Sequence, residues 1–105
     1  MIAKKFKLPI GVWLKERKRF IFRKNDFFAV KLAENNLNHS RFGVVVSKNI
    51  LKSAVKRNKL KRAIFNFIKL GGLCASSGRD FLITALPKSA VLKKGELEKS
   101  LKHLL

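Results

Sequence analysis

Apolar residues crowd into two stretches, 27–33 and 42–47, too densely for a helix with one wet face. The second contains Val44, Val45 and Val46 in a row and reads as a strand covered on both sides. Between them lie Asn35, Asn36, Leu37, Asn38, His39 and Ser40, a cluster of turn formers, so the pattern predicts that the two strands pair as an antiparallel hairpin. From 53 to 70 the period becomes helical. Leu60, Ala63, Ile64, Phe67 and Ile68 share one face at about 100° per residue and should lie on the sheet, while Asn58, Lys61, Arg62 and Lys69 project away from it. Ser53 is placed as the N-cap, and Gly71-Gly72 as the stop. Ser76-Ser77-Gly78 marks a loop, after which 80–86 reads as a strand ended by Pro87. A last helix over 94–105 sets Leu97, Leu101, Leu104 and Leu105 at core spacing, with Glu98 and Lys102 paired four apart. Near the start, Pro9 suits the first turn of a short helix over 9–16 with Ile10, Trp13 and Leu14 on one side. The order helix, strand, strand, helix, strand, helix implies one α+β domain over 1–105, a two-layer sandwich of helices on a small mixed sheet.

Charge changes this picture most. Of 105 residues 25 are Lys or Arg and 6 are Asp or Glu, a formal net charge of +19. With 47% hydrophobic residues, nine Phe and one Trp, the chain is too apolar for a disordered basic tail. No acid occurs between Glu34 and Asp80, where Arg41, Lys48, Lys52, Lys56, Arg57, Lys59, Lys61, Arg62, Lys69 and Arg79 all fall. Self-repulsion on this scale weakens a compact state unless a polyanion joins it. An anionic membrane would call for a long helix with an unbroken apolar face, so nucleic acid is the favoured partner. No apolar run nears the ~18 residues of a membrane span, and no secretory segment follows Met1-Ile2-Ala3-Lys4-Lys5. Cys74 stands alone and is read as a buried hydrophobe in a reducing cytoplasm. Intrinsic catalysis is not expected: Glu16, Asp26, Glu34, Asp80, Glu96 and Glu98 are scattered without metal-ligand spacing, and His39 and His103 read as surface residues.

The chemistry concentrates where the strand Arg41-Phe42-Gly43-Val44-Val45-Val46-Ser47-Lys48 feeds the helix opening Ser53-Ala54-Val55-Lys56-Arg57-Asn58-Lys59-Leu60-Lys61-Arg62. A helix start favours phosphate through its free N–H groups and dipole, and basic side chains in its first turns extend that site. This segment resembles the signature of the bacterial ribonuclease P protein subunit, an Arg-Asn-Arg-like motif followed by Lys-Arg, and the later strand and terminal helix follow the same layout. The resemblance implies a fold like the second domain of a small-subunit ribosomal protein, with a left-handed strand–helix–strand crossover. It implies that catalysis belongs to an RNA subunit with Mg2+, and that the protein binds this catalytic RNA and the single-stranded 5′ leader of precursor tRNA. No membrane and no obligate protein partner is implied.

By the same likeness Arg41, Lys48, Lys52, Lys56, Arg57, Asn58, Lys59, Lys61 and Arg62 are expected to bind RNA. Lys59 replaces an Arg common in the family, keeping charge but losing the planar fork. A leader cleft between the first helix and the sheet is expected to include Ile10, Trp13, Leu14, Lys15, Arg17, Arg19, Phe27 and Lys31. Ile10 and Leu14 stand where the family often carries Phe, so the π-face needed for stacking is missing there. Trp13 either replaces that platform or plugs the core. Phe20, Phe22, Phe27 and Phe28 read as core fillers. A ribosomal or RNA-chaperone protein would share the charge, though not the strand-to-helix signature.

Overall fold

The computed structural model describes residues 6–15, 20–71, 78–91, 93–102 and 104–105. In chain order they form α1 (Ile10–Lys15), β1 (Ile21–Lys24), β2 (Phe28–Glu34), β3 (Arg41–Val45), α2 (Ala54–Leu70), β4 (Arg79–Ala85), a 3-10 turn (Pro87–Val91) and α3 (Lys94–Lys102). The expectations attached to Arg17, Arg19, Cys74 and His103 lie outside the described residues.

The sheet runs β1-β2-β4-β3. β1 and β4 flank β2 in antiparallel register, and β3 lies parallel to β4. This corrects the hairpin: β2 and β3 are not neighbours, because β4 lies between them. β4 is the strand whose residues are buried from Asp80 through Ile83, and a strand apolar on both faces belongs in the middle of a sheet. Parallel pairing of β3 with β4 needs a long crossover, which α2 supplies. β1 is an element the pattern does not predict, since three of its four residues are exposed.

Strand alternation builds a core on each face of the sheet. On one side Phe28, Val30 and Leu32 of β2, Phe42 and Val44 of β3, and Phe81 and Ile83 of β4 meet Ile64, Phe65 and Ile68 of α2 and Leu97 and Leu101 of α3. Phe42 and Phe81 stack with ring centroids 4.9 Å apart. Each such side chain contributes about 1.5–3 kcal/mol by leaving water. On the other side Trp13 of α1 packs with Leu8, Ala33 and Leu82. Gly43 permits this, since a Cβ there would lie 2.8 Å from Cγ1 of Ile10.

The predicted face of α2 is the one that packs, with Phe65 added to it. Ser53 Oγ accepts the Lys56 N–H at 3.3 Å, and the Gly71 N–H closes the last turn on the Phe67 carbonyl at 3.0 Å. The cap and the stop therefore fall where the sequence places them.

Candidate nucleic-acid interface

The loop from β3 into α2 is tied at both ends. The Ile50 and Leu51 N–H groups donate to the Ser47 carbonyl at 3.1 and 3.2 Å, and Asn49 N–H donates to Ser47 Oγ at 2.9 Å. Arg57 reaches back one and a half turns, its Nη1 donating to the carbonyls of Leu51 at 2.7 Å and Lys52 at 2.9 Å. Its guanidinium thus fixes the loop that carries Lys48 and Lys52, both exposed. Beyond it Lys56, Asn58, Lys59 and Arg62 are exposed, and Lys61 is half-buried on the Arg57 flank of the helix. No acid stands in the first turn of α2. Eight of the nine expected RNA-binding residues are therefore brought together along this helix and its entry loop.

Arg41 is the ninth, and the structure places it elsewhere. It begins β3, roughly 13 Å of strand before Val45. Its Nε and Nη2 grip the two Asp80 oxygens at 2.8 and 2.7 Å, with the Arg41 side chain 23% exposed and Asp80 at 0%. Asn35 Nδ2 donates to Asp80 Oδ1 at 2.8 Å and to the His39 carbonyl at 3.2 Å, so one buried carboxylate organises the loop between β2 and β3. Removing one partner of such a pair leaves a buried charge and costs about 3–5 kcal/mol. Arg41 therefore stands apart from the α2 cations, with its fork on a carboxylate inside the fold. A lone acid in an apolar strand was the signal for this, because a buried carboxylate needs a cationic partner.

The α1 face differs from expectation in its aromatic residues. Trp13 is 0% exposed and lies 5.0 Å, centroid to centroid, from Phe20, so it is the core plug and offers no open ring for stacking. Ile10 is half-buried over Gly43, and Leu14 and Lys15 are exposed. Phe27 packs against the opposite, α2-side core, and the structure does not bring it to α1. Lys31 is exposed with Nζ 5.8 Å from the Phe20 ring centroid, a weak cation–π contact.

The core reading holds for Phe28, which is fully buried, and fails for Phe20 and Phe22, which are exposed. Phe22 is 57% exposed and sits opposite Lys31 in the register, hence on the α1 face of the sheet, while Lys24 stands opposite Ala29 on that same face. An open aromatic ring flanked by two lysines can take a single-stranded nucleic acid, bases on the ring and phosphates on the cations. The sequence pattern assigns Phe22 to the core because it does not predict β1. Only the pairing of β1 with β2 tells which side Phe22 faces.

Among the described residues no group of three or more His, Cys, Asp or Glu is placed to hold a metal ion, and no helix is long and apolar enough to cross a membrane.

Comparison with known proteins bears on the family and the fold. The family model described as Ribonuclease P matches residues 13–105. The ribonuclease P protein component of Dehalococcoides mccartyi (strain CBDB1) is 40% identical over 76 residues, which are 72% of this chain and 61% of that protein's length. A Staphylococcus aureus RNase P protein mutant with defective mRNA degradation activity superposes with a TM-score of 0.85 at 27% identity, covering 97% of this chain and 86% of that one. The RNase P protein of Thermotoga maritima shares the fold, with a TM-score of 0.78 at 24% identity over 92% of this chain and 88% of that one.

Proposed function

Because this chain belongs to the ribonuclease P protein family, we propose that it is the protein subunit of a ribonucleoprotein that matures the 5′ end of tRNA in the cytoplasm. The observation that carries this reading is the acid-free basic ridge of α2 and its clamped entry loop. Phosphates of the catalytic RNA lie along Lys48, Lys52, Lys56, Lys59 and Arg62, five cations exposed to solvent. Arg57 sets the loop's shape through two carbonyls and turns the remaining edge of its guanidinium to the RNA. Asn58 contributes a neutral donor and acceptor within the same exposed row.

The leader of precursor tRNA lies on the other side of the sheet. There Phe22 supplies the stacking face that Ile10 and Leu14 lack, and Lys15, Lys24 and Lys31 take its phosphates. Bond breaking belongs to the RNA and the Mg2+ ions it holds. The protein's part is to screen phosphate repulsion between the two RNAs, so that they dock with less magnesium.

Counterion release gives this reading a number. With some six phosphates contacted, log K for binding a bacterial ribonuclease P RNA should fall against log salt with a slope of about −4 to −5. Titration of fluorescent RNA at several salt concentrations measures it, and a nearly flat line contradicts the ridge as a phosphate site.

A further inference from the structure

Beside the α2 ridge lies a groove of about 500 Å3 between α2, its entry loop, the 3-10 turn and α3. That is within the roughly 300–1,000 Å3 typical of small-molecule sites. Its walls are aliphatic, with Leu51 on the loop, Leu60 on α2, Ala90 on the 3-10 turn and Leu97 on α3. Lys56 and Lys59, three residues apart and hence neighbours on the helix surface, also line it, and the described lining residues include no carboxylate. Resting on the ribonuclease P reading, we infer that this groove receives one unstacked base of the bound RNA, with the adjoining phosphate on Lys56 and Lys59.

Three observations select that occupant. A ligand here must present a flat or compact apolar body next to negative charge, which is the build of a nucleotide. The groove is continuous with the row of exposed cations on α2, so an RNA strand lying on that row passes its mouth. The wall is also set in advance: the Leu51 carbonyl accepts from Arg57 Nη1 at 2.7 Å, and Leu51 packs on the main core, so little ordering remains to oppose binding. Phosphate contacts along α2 fix position without reading sequence, whereas a base in a shaped pocket adds discrimination between RNAs. The groove therefore supplies selectivity that the charged ridge lacks.

The test uses the full chain with methyl-labelled leucine and alanine. Adenosine 5′-monophosphate should shift the methyl resonances of Leu51, Leu60, Leu97 and Ala90, and ribose 5-phosphate at the same concentration should leave them in place. Equal shifts from both probes would mean that the lysines bind an anion and the groove binds nothing, which overturns the inference. Shifts from an acidic, leucine-rich peptide and none from the nucleotide would overturn it in favour of a protein partner. Filling the groove with Ala90→Leu, in a variant whose circular dichroism matches the parent, should weaken binding of ribonuclease P RNA about tenfold without changing the salt slope. Lys59→Ala should instead reduce that slope by about one. If the parent binds RNA steeply with salt and Ala90→Leu binds equally well, the groove assignment falls and the functional reading stands. If the parent does not bind RNA, both fall.

Discussion

At the scale of single residues, the same side-chain type takes opposite roles according to the face it occupies. Trp13 and Phe22 are both large aromatic groups near the start of the chain, yet one is sealed against Leu8, Ala33 and Leu82 and the other stands open between lysines. Truncating each should therefore be felt in different assays. Trp13→Ala should lower unfolding free energy by about 3–5 kcal/mol in urea, because it empties a packed site. Phe22→Ala should change stability little and weaken binding of leader-bearing precursor tRNA by about 1–3 kcal/mol relative to leaderless RNA. Equal losses for both RNAs would show that Phe22 does not hold the leader. Sequence spacing left Trp13 undecided, since a helix of six residues offers too little periodicity to say which side of it is wet. Arg41 was legible as a cation and not as a buried one: Asp80 lies 39 positions away, and only the parallel register of β3 with β4 sets them opposite each other.

Among the elements, α2 is legible nearly to the residue. Its boundaries come from local chemistry, a serine that accepts the Lys56 N–H and a glycine whose N–H closes the final turn, and local chemistry is written in adjacent residues. Ser53→Ala should accordingly cost about 1 kcal/mol in a urea titration and leave the fold intact; no loss at all would mean that the Ser53 cap does not hold α2. The sheet was harder to read. A turn-rich cluster between two apolar runs carries the same signal whether the strands pair directly or a third strand enters between them, and here β4 enters from 45 residues further along. β1 is unmarked in the sequence for a related reason. A four-residue edge strand with one wet face needs no apolar alternation, and its existence depends on a partner. The α1 face of the sheet is consequently the least legible part of the candidate site, and the α2 ridge the most legible.

For the molecule as a whole, a charge of +19 on 105 residues is tolerable because the apolar residues go to two cores while most cations stay outside them. The same separation leaves one cationic row on the helix side of the sheet and another cluster, around Phe22, on the α1 side. A protein so arranged can touch two stretches of RNA at once, which is what the proposed function asks of it. Both of these faces lie within residues 13–105, the stretch that the family model matches. Cleavage of precursor tRNA is the decisive measurement. The chain is mixed with a bacterial ribonuclease P RNA at limiting magnesium, and cleavage of precursor tRNA is timed with and without it. Faster release of the leader in its presence, none from the chain alone, and most of the gain lost in a Lys59→Ala, Arg62→Ala variant is the predicted result. An unchanged rate, or cleavage by the protein without RNA, would contradict it.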